Sequence, residues 1–125
     1  MERTITVLLL VVGIIHILPI TGFVSLNQLN QLYDLDLADK NLEILMRHRA
    51  ILFGLLGAFI CYAGFVPTLQ PLAFVAAIVS IGSFILLAVS VGDYNGAIQR
   101  VIYADIVAAG CLAVALILYF VRLNQ

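Results

Sequence analysis

Charge is what this sequence has least of. Only 10% of its 125 residues are Asp, Glu, Lys or Arg, against roughly a quarter in an ordinary soluble domain. Six basic residues cannot line a surface that tracks a phosphate backbone, which excludes a nucleic-acid binder. Trp is missing altogether, and there are only two Cys and three Pro. Neither Cys stands in a Cys-x-x-Cys, so thiol–disulfide chemistry has no motif. There is no Gly-rich phosphate loop, no Ser/His/Asp arrangement and no internal repeat. What fills the chain is apolar: 64% of the residues. That composition excludes a soluble globular enzyme and a disordered chain. The net charge of −1 adds nothing about partners.

The apolar residues gather in four blocks, at about 4–23, 50–66, 72–91 and 101–121. Each is near the ~20 residues that a helix needs to cross a bilayer. Backbone groups in lipid must be bonded within the segment, so blocks this continuous are helices. A membrane barrel would alternate polar and apolar residues in shorter segments. The first block is too long for a cleavable signal peptide, no small-x-small site follows it, and three more blocks do. The expected fold is all-α: one domain over 1–125, an integral membrane antiparallel four-helix bundle.

The connections are unequal. Pro67-Thr-Leu-Gln-Pro71 and Gly92-Asp-Tyr-Asn-Gly96 are short turns; prolines stop one helix and start the next, and Asn95 is placed to cap the fourth. The first connection is long. From Ser25 as N-cap, Leu26, Leu29, Leu32 and Tyr33 share one helical face, with Asn27, Gln28, Asn30 and Gln31 on the others. This is the pattern of an amphipathic segment lying in the headgroup plane. Asp34, Asp36 and Asp39 follow, and Asp39 is the expected N-cap of a helix that runs straight into the second span.

Orientation depends on few charges. Lys40, Arg47, Arg49 and Arg100 fall on the long-connection side, Arg3 and Arg122 on the other. A bare count puts the long connection in the cytoplasm. The first span, preceded by Arg3 and followed by no base until Lys40, favours both termini inside. On that second reading, which is adopted here, Arg47 and Arg49 stand against the charge rule and are kept for another purpose.

An antiparallel arrangement collects nearly every ionisable residue of interest at the long-connection end: His16, Arg47, His48, Arg49, Asp93, Tyr94, Arg100, Tyr103 and Asp105. These are the candidate ligand-binding residues. His16 has two readings, a neutral ring bonded to a backbone carbonyl near Pro19, or a ligand- or proton-handling group. Asp105, about one turn inside the apolar block, calls for a partner in Arg49, Arg47 or His16, or for a proton. The Arg47-His48-Arg49 triplet fans around the helix at about 100° per residue. Glu43 and Arg47 make an i, i+4 pair, Arg49 shares a face with Phe53, and His48 shares one with Leu55. One head enters the bundle, while another snorkels to lipid headgroups.

His16 and His48 on different helices are the minimum for a bis-histidine haem, but no second pair and no attachment motif accompany them. Zinc would want three or four ligands, with only His16, His48, Asp93 and Asp105 to supply them; no metal site is expected. A quinone or isoprenoid head group would also suit imidazole, carboxylate and tyrosine at the lipid boundary. Cys61 and Cys111 fall mid-helix, where thiols serve as small packing residues. Ala50, Gly54, Gly57, Cys61 and Gly64 form a close-packing seam on the second helix, Ala73, Ala76, Ser80, Ser83 and Ser90 one on the third, and Ala104, Ala108, Cys111 and Ala115 one on the fourth.

Three stretches carry a resemblance. They are His16-Ile-Leu-Pro19, Asn41-Leu-Glu-Ile-Leu-Met-Arg-His-Arg-Ala-Ile-Leu-Phe-Gly-Leu-Leu-Gly57 and Val91-Gly-Asp-Tyr-Asn95. They resemble a group of small four-helix bacterial inner-membrane proteins of unestablished activity, often labelled phosphopantetheine adenylyltransferase. The true adenylyltransferase is a soluble α/β nucleotidyltransferase with a His-x-Gly-His type motif. Here Ile15-His-Ile-Leu-Pro19 lies in an apolar helix without that motif, so the label fails. The resemblance implies a multi-pass protein of the bacterial inner membrane.

Two function classes follow. In the first, a non-catalytic membrane protein uses the long-connection end to bind a lipid-like or anionic ligand, or a larger membrane complex. Arg47, Arg49 and Arg100 then contact phosphate or carboxylate, and Asp105 holds an arginine. Membrane lipids, a second copy or a membrane complex are the partners, and the residues specify no cofactor. In the second, a redox or proton-coupled enzyme uses His16, His48 and Asp105 around a quinone or haem. A transporter is a third idea, one that would need an oligomer to build a pathway.

Overall fold

The computed structural model describes residues 1–34 and 39–125, apart from the side chain of Leu26. Asp36 lies outside the described residues, as does the apolar-face role of the Leu26 side chain. Among the described residues all regular structure is helical. In order these are α1 (Glu2–Ile17), a 3₁₀ turn (Leu18–Ile20), α2 (Thr21–Val24), α3 (Leu26–Tyr33), α4 (Lys40–Phe65), a 3₁₀ turn (Pro67–Leu69), α5 (Gln70–Val91) and α6 (Gly96–Leu123). Four stretches are long and apolar enough to cross a membrane: Glu2–Val24, Lys40–Phe65, Pro67–Val91 and Gly96–Leu123.

The helix starts follow local chemistry. The Asp39 carboxylate accepts from the Asn41 N–H at 2.8 Å, and the Asn95 side-chain carbonyl from the Ile98 N–H at 2.9 Å; both caps satisfy a donor that has no intrahelical partner. Pro71 sits in the first turn of α5, where its missing N–H costs nothing. Ser25 holds the N-cap position of α3 in extended conformation, but its hydroxyl makes no cap bond. Its carbonyl accepts from Leu29 N instead, at 3.1 Å.

The first apolar block departs from one continuous helix. α1 ends at Ile17, and the next three residues wind as a 3₁₀ turn around Pro19. Pro19 has no N–H for the Ile15 carbonyl, so the α-helical ladder cannot pass through it unbroken. In α4 the helix begins ten residues before its apolar block, as Asp39 led us to expect.

α1 packs against both α4 and α6, while α5 contacts α4 and α6. The α1–α4 seam is built on glycine. Thr6 meets Gly64, Gly13 meets Gly57 and Cys61, and Ile20 meets Gly54. A Cβ on Gly57 would lie 2.5 Å from the Gly13 carbonyl oxygen, so backbone touches backbone here. Dispersion between closely packed chains is the attraction that such a contact supplies. Ile5, Leu9, Val12, Ile60, Phe74 and Leu112 fill the core between the helices. Large apolar side chains also cover the outer faces, among them Leu86 at 68% exposure and Val91 at 80%. Cys61 and Cys111 are free thiols, Cys61 seated under Gly13.

Candidate functional site

A cavity of about 300 Å³ opens where the end of α1 meets α3, α4 and α6, at the lower end of the roughly 300–1,000 Å³ of ordinary ligand pockets. His16, Arg49, Arg100 and Asp105 all stand on its wall, and Phe53, Phe84, Leu32, Tyr33 and Val101 supply much of the rest. The sequence reading gathers these four polar residues at one end, and they do line one cavity.

Arg49 is the centre of it. Its guanidinium lies over three rings, 4.9 Å from the Phe53 centroid, 5.4 Å from Tyr33 and 5.7 Å from Phe84. The rings come from α4, α3 and α5, so three helices hold one cation. Each ring face attracts the charge by about 0.5–2 kcal/mol, more as water is removed. Among the described residues no carboxylate oxygen lies within 4.0 Å of the Arg49 guanidinium. The cage fixes the cation and leaves its fork of N–H donors free of a protein anion.

His16 is 2% exposed and both ring nitrogens are occupied. Nδ1 is 2.8 Å from the Val12 carbonyl and therefore donates to it. In the neutral ring Nε2 is then the acceptor, and the Ser80 hydroxyl, 3.3 Å away, donates to it. The ring stacks on Phe53 at 6.0 Å. His16 is thus bonded to a carbonyl of its own helix while it stands on the cavity wall.

Of the two expectations for Asp105, a basic partner or a proton, the close partner is not found among the described residues. Among the described residues no Lys, Arg or His nitrogen lies within 4.0 Å of its carboxylate. Arg49 has turned to its aromatic cage, Arg47 to Glu43, and His16 has spent its donor on Val12. Asp105 faces the cavity, half-buried.

α3 forms a cover. Gln31, Leu32 and Tyr33 line the cavity, while Leu29 and Tyr33 are buried with Met46, Ile98 and Val101 around them. One side chain latches its end: Asn95 Nδ2 donates to the Tyr33 carbonyl at 2.8 Å and to the Asp34 carbonyl at 3.2 Å. The cap of α6 and the latch of α3 are therefore the same residue. Asp34 ends α3 at φ 51°, a left-handed conformation that Asp tolerates better than most side chains. A second cavity of about 520 Å³ shares Arg49, Phe53 and Phe84 with the first, and is otherwise lined by Ser80, Ser83, Leu87 and Tyr94 among others.

Several expected site residues stand elsewhere. Arg47 pairs with Glu43 at 3.1 Å, donates through Nε to the Phe23 carbonyl at 2.9 Å and lies over the Phe23 ring; it ties α4 to α2 rather than lining either cavity. His48 is exposed and lines neither cavity, so the structure does not bring it beside His16 on the cavity wall. Asp93 is exposed at φ 49° in the turn before α6 and also lines neither. Tyr94 reaches only the second cavity. Tyr103 is 60% exposed and accepts from Gln99 Nε2. Arg100, also exposed, reaches the cavity mouth.

The opposite end, expected to offer little, holds a polar network. Gln70 is 1% exposed; its Nε2 donates to the Gly64 carbonyl at 3.5 Å, and Thr6 Oγ1 donates to the same carbonyl at 2.7 Å. Arg122 Nη2 donates to Gln70 Oε1 at 3.2 Å, and Nη1 lies 3.5 Å from the Glu2 carboxylate. The chain ends are clasped through one buried amide. Its sequence signal was a lone Gln between two prolines and a lone Arg after the last apolar block.

Among the described residues no group of three or more His, Cys, Asp and Glu is placed to hold a metal. Comparison of the chain with protein-family models, with curated proteins and with solved structures gave no match.

Proposed function

We propose that the chain is a four-span antiparallel membrane bundle that binds an amphiphile through an anionic group seated on Arg49. The observation that carries this is the caged guanidinium: a fixed cation, without a protein carboxylate within 4.0 Å among the described residues, on the wall of a mostly apolar cavity. A charge held that way needs a counter-ion, and an arginine fork suits phosphate or carboxylate. The bundle reading is supported by the contacts of the first span with α4, Thr6–Gly64, Gly13–Gly57 and Ile20–Gly54, whose numbers rise on one side as they fall on the other, and by Glu2–Arg122, which brings the start of α1 to the end of α6. Membrane placement is supported by four stretches of spanning length and by the outward leucines and valines. α3, polar on one side and anchored by Leu29 and Tyr33 on the other, then lies at the surface as a cover over the cavity. The resemblance noted above supports the bacterial inner membrane, and Arg3 before the first span, with no base after it until Lys40, supports both termini inside.

The reading is non-catalytic. His16 has both ring nitrogens engaged and His48 is exposed and lines neither cavity, which weighs against the alternative, a bis-histidine haem or quinone enzyme. The test is native mass spectrometry of protein released from mild detergent. Wild type retains one phospholipid-sized mass per chain and Arg49→Gln is bare. A quinone-sized mass, a partner subunit in place of lipid, or lipid retained equally by Arg49→Gln would overturn the reading.

A further inference from the structure

We infer that the ligand's head group is zwitterionic, with an anionic phosphodiester on Arg49 and a primary ammonium on Asp105. This rests on the reading of Arg49 just given and names the head-group class. Arg49 and Asp105 stand on the wall of the same small cavity, opposite in sign, and neither has an ionic partner within 4.0 Å among the described residues. Among the described residues Asp105 is the only carboxylate that lines that cavity.

A purely anionic ligand drawn to Arg49 would bring its charge into the low-dielectric space that Asp105 also occupies, where like charges repel strongly. An ionised Asp105 calls for a donor, and among the described residues the nearby groups are engaged elsewhere. The His16 Nδ1–H is committed to Val12, and its Nε2 accepts from Ser80. Arg100 is exposed at the mouth. A ligand that carries its own cation completes both charges at once. A primary ammonium brings N–H groups that a carboxylate accepts. A quaternary ammonium brings none, and the aromatic faces that would hold it are already taken by Arg49. The volume of about 300 Å³ suits a head group, with the acyl chains leading away along the apolar wall that the second cavity shares at Phe53 and Phe84.

The experiment is a binding titration in one detergent with short-chain phospholipids that share acyl chains and differ only in head group: ethanolamine, choline or glycerol. Wild type is expected to bind the ethanolamine lipid at least about tenfold more tightly than the other two, a difference of about 1.4 kcal/mol. In Asp105→Asn that preference collapses, while Arg49→Gln weakens all three lipids. Equal wild-type binding of the three head groups overturns the inference with no variant required, and so does an undiminished preference in Asp105→Asn. Unchanged binding in Arg49→Gln overturns the Arg49 reading itself, so the two failures are distinguishable.

Discussion

Gly57→Ala tests the helix contact on which the cavity depends. A Cβ added at Gly57 would lie 2.5 Å from the Gly13 carbonyl oxygen, 2.6 Å from Ile17 Cγ1 and 2.9 Å from Ile17 N. Two of these atoms are backbone and cannot rotate aside, so α1 and α4 must separate. Forcing a methyl into a packed contact costs about 1–3 kcal/mol. Replacing a helical glycine with alanine returns about 0.5–1 kcal/mol through the unfolded chain, wherever it is done. Gly110 supplies the control, because it is helical and an added Cβ meets nothing within 4 Å. The propensity gain is common to both variants and cancels, so Gly57→Ala falls below Gly110→Ala by the overpacking cost alone, about 1–3 kcal/mol. The assay is apparent thermal stability in mild detergent at a single scan rate, since the midpoint of an irreversible transition depends on that rate. Gly110→Ala is expected at or above wild type and Gly57→Ala clearly below Gly110→Ala. Equal melting of the two variants would refute the backbone contact between α1 and α4.

Asn95→Asp separates the latch from the cap: it keeps the acceptor for Ile98 and loses both bonds to α3. Hydrogen exchange should quicken across 26–34 while the start of α6 stays protected, whereas Asn95→Ala loosens both, with the cap alone worth about 0.5–2 kcal/mol; a segment 26–34 as well protected in Asn95→Asp as in wild type would count against the latch. Arg122→Met leaves the buried Gln70 carbonyl unpaired and is expected to cost about 1–3 kcal/mol. Glu2→Gln, which removes a mostly exposed partner, costs under about 1 kcal/mol, and the reverse ranking by thermal stability would argue against the Gln70 clasp. Arg47→Gln removes the Glu43 pair and the Phe23 carbonyl bond; it should lower stability yet leave lipid retention intact, and lost retention in a folded Arg47→Gln would move the anion site away from Arg49.

What was legible in the sequence was set by short-range chemistry. Asp39 and Asn95 cap the helices that their positions forecast, Glu43 and Arg47 pair at i, i+4, and Gly54 and Gly57 mark the close seam. The apolar blocks located the four long helices, and the long-connection end held the cavity. What was not legible needed the side-chain environment. Asp105 was expected on Arg49, Arg47 or His16, or protonated, but these three each found other company through residues distant in sequence: Tyr33 and Phe84 for Arg49, Phe23 for Arg47, Ser80 for His16. Only Phe53, four residues after Arg49 on the same face, was visible beforehand. The break after Ile17 was hidden because an apolar block reads the same through a 3₁₀ turn. Gln70 was passed over because a single amide at a helix start is unremarkable until its burial against the Gly64 carbonyl is known.

The most direct test is a magnetic dipolar distance between lipid phosphorus and the guanidinium carbon of Arg49, measured on labelled protein reconstituted in phospholipid bilayers. A phosphate bound by charge-assisted hydrogen bonds of about 2.7–2.9 Å puts phosphorus and that carbon in contact, and the coupling should vanish in Arg49→Lys, which lacks the carbon, without reappearing at another arginine. Coupling at Arg100 or Arg47 with none at Arg49 would contradict the caged guanidinium as the seat of the anion.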